Sequence, residues 1–375
     1  MKVDLISLPV NTPGTVRSLQ VRRYGREGAR PKVYVQAGIH ADELPANLAA
    51  HHLAGLLDEA DGADSVIGEI VLVPVANPIG LSNIMFGDHL GRFHAQSGQN
   101  FNRGWPNVAQ AVSERARDRL GPDAEANLAL VRQAVLEELE RVVPGNEAEA
   151  LRLMLMKRAA DADIVLDLHT DAEAELHIYL DEVHWPEAAD LAGLLGAAVV
   201  MFARNSGNGP FEETVAVPYL SLSEAASEKP LRVPFTAVIE LRDETDVADE
   251  LARADAEAIY KFLAHRGVIA GKPDAIPPFT GIAAPLQATE IVKSPAAGII
   301  VYRKALGEIV AAGEVVADVV DPLAGGNRRV PVKATTTGRL FVRAGERLAW
   351  PGKAIGKIQG REPLPGRIPG RLLYD

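Results

Sequence analysis

Through most of the chain, short continuous apolar runs alternate with longer stretches of helical spacing. The runs at 33–37, 69–76, 163–168, 197–202 and 236–241 are rich in valine, leucine and isoleucine and have the length of buried strands. Residues 15–22 alternate between apolar and polar, which predicts a further strand. Residues 45–57, 124–143, 147–160, 187–195 and 247–265 carry apolar positions at helical intervals. Pro144-Gly145 separates the second of these helices from the third, and Asn146 suits the N-cap of the latter. Strands alternating with helices predict an α/β domain, a mostly parallel mixed sheet flanked by helices. Asn77-Pro78-Ile79-Gly80 reads as a turn, and 204–210 as a Gly/Asn-rich loop. Residues 81–108 lose periodicity while Arg92, His94, Asn100, Asn102 and Arg103 accumulate. So long an irregular stretch inside a compact domain is functional or disordered, and Phe86, Phe93, Phe101 and Trp105 favour an ordered one.

The pattern changes after Gly271-Lys272-Pro273, where a linker through Pro277-Pro278 is expected. Beyond it come short strands and turns without a helix. Ser294-Pro295-Ala296-Ala297-Gly298 is echoed by Thr335-Thr336-Thr337-Gly338, and the Gly307-Glu308 stretch by Gly345-Glu346. Two related halves of about 40 residues fit a small β-sandwich or barrel. The expected division is therefore a catalytic domain at 1–275 and an all-β domain at 285–375.

Composition narrows the chemistry. The 375 residues are 47% apolar and 24% charged, ordinary values for a globular protein. A formal net charge of −11 argues against nucleic acid or an anionic membrane as partner, yet leaves room for a small basic pocket and an acidic small-molecule substrate. There is no cysteine, so any transition metal must be held by His, Asp or Glu. Met1-Lys2-Val3-Asp4 lacks a signal-type apolar core and no run reaches transmembrane length, so a cytoplasmic location is expected. A homo-oligomer is compatible with the pattern, and the sequence does not decide it.

Candidate chemistry starts at 33–43. The strand ends at Ala37, Gly38 lets the backbone turn, and His40 and Glu43 follow before Pro45 opens a helix. Leu44 precedes that proline and is biased away from helical dihedrals. Loops at the carboxyl ends of strands are where α/β sheets build ligand sites. An imidazole and a carboxylate there are two of the three ligands of a catalytic zinc. His169, at the end of another strand, is the best third; the alternative is a turn histidine and a satisfied strand-end histidine. Of the remaining histidines, His51 and His52 fall in a helix, His265 at a helix end, His184 in a loop, His89 and His94 in the irregular stretch, and His177 in a strand. Glu240, on the apolar run 236–241, is placed to act as general base, the alternative being a salt bridge to Arg242. Asp167 lies on the same strand face as His169 and would orient it or serve as a buried structural carboxylate. Two arginines and two asparagines in the irregular stretch suit carboxylate binding or oxyanion stabilisation, the alternative being solvated loop residues.

The ordered set His40-x-x-Glu43, Asn102-Arg103, His169 and Glu240 resembles the succinylglutamate desuccinylase/aspartoacylase family, a branch of the zinc carboxypeptidase-like fold, over about residues 30–265. The resemblance implies that His40, Glu43 and His169 bind one zinc per chain and that Glu240 is general base and acid. It further implies that Asn102 and Arg103 bind a substrate carboxylate and that Arg92 polarises the scissile carbonyl. Ala41 stands where the family has its second glycine, and Asn100-Phe101 where it has Asp-Leu. Residues 285–360 resemble a lipoyl/biotinyl-like barrel, but the hairpin 321–329 has no lysine to modify, so a cap over the active-site mouth or an assembly role is expected instead of a carrier role. The implied function is a zinc-dependent amidohydrolase (deacylase) acting on an N-acyl amino acid. A zinc carboxypeptidase acting on peptides is the alternative, and a non-enzymatic carrier or binding protein is the third.

Overall fold

The apolar runs become strands because their residues are buried on both faces: every residue of the strands at 32–37 and 69–73 is buried. The computed structural model describes residues 1–9, 12–271, 275–326 and 328–373. Lys272, Pro273 and Asp274 of the expected linker, Asn327 of the 321–329 hairpin, and Tyr374 and Asp375 at the end of the expected β domain lie outside the described residues. In chain order the elements begin β1 (Lys2–Ser7), β2 (Ser18–Gly25), β3 (Lys32–Ala37), α1 (Leu44–Gly62), β4 (Glu69–Val73), α2 (Pro78–Leu81), β5 (Ile84–Met85), β6 (Asp88–His89), α3 (Ala109–Ala116), α4 (Ala124–Glu140) and α5 (Glu147–Ala159). They continue with β7 (Ile164–Asp171), β8 (Glu173–Ala174), β9 (His177–Leu180), α6 (Ala189–Leu195), β10 (Val199–Phe202), α7 (Phe211–Ala225), β11 (Phe235–Asp243) and α8 (Asp249–His265). Apart from a 3-10 turn at Leu286–Ala288, the remaining elements are strands: β12 (Ile282–Pro285), β13 (Thr289–Lys293), β14 (Gly298–Tyr302), β15 (Ile309–Val310), β16 (Val315–Val320), β17 (Arg329–Lys333), β18 (Gly338–Arg343), β19 (Leu348–Ala349) and β20 (Ala354–Gln359).

The chain divides into two compact units. The first comprises Met1–His169, Gly209–Val238 and Val247–Ala275. Its strands run in the order β1-β2-β4-β3-β7-β11. β3 is parallel to both β4 and β7, and β2 is antiparallel to β1 and β4, so the sheet is mixed. The β3–β7 register sets Gln36 beside Asp167 and Ala37 beside Leu168. α1 packs on α8, while Val165, Leu151, Leu155, Phe211 and Tyr219 belong to the principal core.

The second unit comprises Thr170–Asn208, Ile239–Asp246 and Ile276–Asp375. Here β9, β10 and β12 lie side by side and parallel. The strands after β12 form two further sheets, β13-β20-β18-β15 and β17-β16-β14-β19, around Val292, Ile300, Val316, Leu340 and Ile358. β8 pairs with β18, Ala174 opposite Val342 and Glu173 opposite Arg343. No helix among the described residues is long and apolar enough to cross a membrane.

Several elements differ from the pattern reading. α1 starts at Leu44, with Glu43 as N-cap and Pro45 in the first turn, where proline's missing N–H costs nothing. The Asn77 turn is the N-cap of α2: its side chain accepts from the Gly80 N–H. Helices α3 and α7 lay outside the predicted set; Pro218 sits inside α7 and interrupts its signal. In the irregular stretch Phe101 and Trp105 are buried, whereas Phe86 and Phe93 face solvent. The ordering therefore rests on two aromatics.

Candidate metal centre

The loop after β3 is built by short contacts to two other segments. Gly38 turns the chain at φ +70°, a left-handed conformation that glycine takes at no steric cost. Asn77 then donates its amide to the Ile39 carbonyl at 2.9 Å, fixing the residue before His40. On the other side the Ala41 N–H donates to the Gly91 carbonyl at 3.2 Å. A Cβ on Gly91 would lie 2.3 Å from the Asp42 backbone nitrogen, so only glycine permits this approach.

Glu43 occupies the N-cap of α1 but makes no capping bond with its side chain. Both its oxygens face imidazoles. Oε1 is 2.8 Å from Nδ1 of His40, and Oε2 is 2.8 Å from Nδ1 of His169. All three residues are buried, and one ligand atom from each lies within 4.8 Å of the others. Among the described residues no other group of three His, Asp or Glu side chains converges in this way. His51, His52 and His265 are on helices and His177 opens β9, as expected, whereas His184, expected in a loop, closes a short 3-10 turn.

The ring nitrogens pointing away are held too. Nε2 of His40 is 2.8 Å from Oδ1 of Asn100, and Nε2 of His169 is 3.0 Å from Oδ2 of Asp167. The other Asp167 oxygen accepts from Gln36 at 3.0 Å, and Gln36 in turn accepts from the Tyr34 hydroxyl at 2.9 Å. Such partners fix the tautomer and the aim of a metal-binding imidazole. Strand alternation explains the supply: Tyr34 with Gln36, and Asp167 with His169, each share one face of their strand.

Charge is distributed to match. Burial opposes charge on Glu43, but His40 and His169 outweigh it and hold its pKa well below the usual range. For His169 burial is again the largest opposing effect, and Asp167 and Glu43 overcome it, so the ring is held protonated. His40 goes the other way: burial lowers its pKa and Arg92 adds to the effect. Positive charge thus stands beside Glu43 at His169 and Arg92.

Arg92 reaches the cluster from its rim. Its guanidinium donates to Oε1 of Glu43 at 2.7 Å and lies 3.5 Å from Nε2 of His40. Asn102 turns its amide nitrogen to within 3.4 Å of His169 Nε2, because its oxygen accepts from Trp105 Nε1 at 2.9 Å and the Phe211 N–H at 3.0 Å. Arg103 donates to the Asn102 carbonyl at 2.7 Å. His40, Glu43, His169, Arg92, Asn102 and Arg103 are all in the first unit.

Glu240 is half-buried on β11 in the second unit, where it interacts with Lys357 and Tyr179. Arg242, two residues on, has φ +74°, a strained value for a residue with a Cβ.

The role of one named residue, Asn100, and the whole of another, Glu212, escaped the sequence reading. Asn100 supports His40, and the available signal was an Asx turn: its Oδ1 also accepts from the Asn102 N–H at 2.8 Å. Glu212, in the first turn of α7, has its pKa pushed up to about 8, by burial first and then by Glu213 and Asp167. Pro210 followed by two glutamates was the helix-start signal there.

Comparison with known proteins gives this geometry a family. A model of the succinylglutamate desuccinylase/aspartoacylase catalytic domain matches residues 29–266. A solved structure of a succinylglutamate desuccinylase/aspartoacylase family protein from Shewanella amazonensis is 26% identical, with a TM-score of 0.84, covering 96% of this chain and 98% of that one. Another, from Shewanella frigidimarina, is 24% identical with a TM-score of 0.83, covering 96% of each chain. The product-bound ectoine utilization protein EutE (DoeB) from Ruegeria pomeroyi is 16% identical with a TM-score of 0.63, covering 96% of this chain and 95% of that one. The latter two likenesses speak to the fold alone. Among curated proteins, none matches the chain. With the family model spanning more than half of the sequence, the chain belongs to the succinylglutamate desuccinylase/aspartoacylase family, whose members are hydrolytic deacylases.

Proposed function

We propose that this protein is a zinc-dependent amidohydrolase that cleaves the amide bond of an N-acyl amino acid or a related small acidic substrate. The observation that carries the reading is the convergence of two imidazole Nδ1 atoms on one buried carboxylate, in a chain whose family deacylates. Two nitrogens and a carboxylate are a donor set that suits catalytic zinc, and both rings have the outer partners such ligands need. His40, Glu43 and His169 would hold the ion. Zinc held there supplies Lewis acidity, polarising a carbonyl and making water nucleophilic near neutral pH.

The chain's own groups do the rest. Arg92 stabilises the negative charge that builds on the scissile carbonyl oxygen, and its place at the rim of the cluster supports this role. Glu240 takes a proton from the attacking water and returns it to the leaving nitrogen. Arg103, with the Asn102 amide, binds the substrate carboxylate, for which a guanidinium offers two parallel hydrogen bonds. In this reading 1–275 carries the catalytic residues, and 285–375 is a β domain of lipoyl/biotinyl-like type, supported by its two sheets.

The test is metal analysis of the purified protein together with a deacylation screen over N-acyl amino acids and short peptides. About one zinc per chain and release of the free acid from N-acyl amino acids are expected. Turnover of peptides alone would replace the proposal with a carboxypeptidase. Neither metal nor turnover would overturn both.

A further inference from the structure

The second unit holds an ionic cluster that the chemistry above leaves unused. Asp171, the last residue of β7, accepts from Lys357 Nζ on β20 at 2.5 Å through Oδ2, and His177 Nε2 lies 3.6 Å from the same oxygen. Oδ1 accepts from the Ala172 N–H at 2.8 Å, and the Asp171 carbonyl accepts from the Glu244 N–H at 3.0 Å. His177, which faces that same oxygen, opens β9. In the sheet, β11 lies between β7 and β9. An ammonium bonded to an Asp171 oxygen that also faces His177 of β9 therefore lies over β11, the strand that carries Glu240. The charges agree: burial opposes the Lys357 charge, but Asp171 outweighs it, and Glu240 adds to the attraction.

Lys357 is delivered there by a set of fixed contacts. Arg339 on β18 makes two hydrogen bonds to Glu175, at 2.7 and 2.6 Å. Arg343 and Arg347 both pair with Glu173. β8 extends the β18 sheet by main-chain pairing. The strands after residue 285 are thereby joined to 171–175 through four basic side chains, of which Lys357 extends to the neighbourhood of Glu240.

We propose that Lys357 is a positioning residue for Glu240: the C-terminal strands carry an ammonium to β11 and hold the Glu240 carboxylate in place for proton transfer. The inference rests on the reading of Glu240 as the base, and it gives the C-terminal strands a part in the reaction.

The experiment compares steady-state kinetics of the zinc-loaded wild type, Glu240→Gln, Lys357→Arg and the double variant Lys357→Met/Asp171→Asn. Both charges are removed together because a half-buried Asp171 carboxylate left without its cation would destabilise the fold by itself. The double variant should lose at least about tenfold in kcat with KM within about twofold, the signature of an effect on proton transfer and not on substrate binding. Lys357→Arg should keep kcat within about threefold, since the charge remains. Should the double variant not fold, Lys357→Gln, which keeps a donor to Asp171 without the charge, is read in the same way. Wild-type kcat in the charge-free variant alongside an inactive Glu240→Gln would overturn this inference alone. Full activity in Glu240→Gln would overturn the assignment of the base and this inference with it.

Discussion

Glu43 in the first unit and Asp171 in the second are both carboxylates drawn away from water and set beside an imidazole, yet the charges around them differ in kind. Asp171 meets Lys357, an ammonium that stays charged throughout the working pH range. Its carboxyl is held at about 2, because Lys357 and then His177 outweigh the burial that opposes its charge. His177 is kept neutral, its pKa lowered to about 4 by burial. Glu43 instead faces two imidazoles whose Nδ1 atoms point at it, and one of them, His169, holds an exchangeable proton. A carboxylate closed by its own lysine is complete. A carboxylate surrounded by convergent metal donors and a proton can exchange that proton for a divalent ion. On the proposed reading the two acids serve different ends.

The comparison breaks most visibly when a donor is removed. His169→Ala or Glu43→Ala should lower kcat/KM by about a thousandfold or more, since zinc contributes several kcal/mol of transition-state stabilisation and each 1.36 kcal/mol is about tenfold. Steady-state kinetics on the best substrate of the screen would show it, and a loss of only a few fold would contradict a metal-centred reaction. Asp167→Asn tests the support of His169. Zinc affinity should fall by about 10- to 100-fold, measured by competition with a chelator, while the fold persists. Unchanged affinity would make Asp167 a purely structural carboxylate.

On the other side of the comparison, His177 should set an acid-limb effect. Its folded pKa, about 4, lies below the ordinary 6.5, so the unfolded chain takes up the proton first as pH falls. Stability should therefore drop between about pH 6.5 and about pH 4, by as much as about 3 kcal/mol. His177→Gln should flatten that part of the profile in urea unfolding; an identical slope in both proteins would refute neutral burial. The smallest effect is remote from either cluster. Asn146 accepts from the Glu149 N–H at 2.9 Å as N-cap of α5, and Asn146→Ala should cost about 1 kcal/mol in urea unfolding with kcat unchanged.

His40, Glu43 and His169 were legible because each stands where an apolar run gives way to polar residues, and runs of that length define strand ends. Asp167 was legible as a partner of His169 from strand alternation alone, although a structural carboxylate fitted equally well. Asn100 was visible only as one more loop amide. Its link to His40 arises from an Asx turn and from chain segments 60 residues apart. Glu212 was hidden because Pro218 interrupts the periodicity of α7. The Lys357–Asp171 pair spans 186 residues, and no local pattern announces a contact between a strand end and the last strand of a repeat-like segment. Local periodicity identified strands and their ends; it could not say which distant cation would close on which acid.

The most direct test of the central claim is calorimetric titration of the metal-stripped protein with zinc, in two buffers of different ionisation enthalpy. A single site per chain is predicted, with protons released as zinc displaces the one held at His169, both in the wild type and in Lys357→Met/Asp171→Asn, and no such site in His169→Ala. Binding of equal strength in wild type and His169→Ala, or none in the wild type, would contradict it.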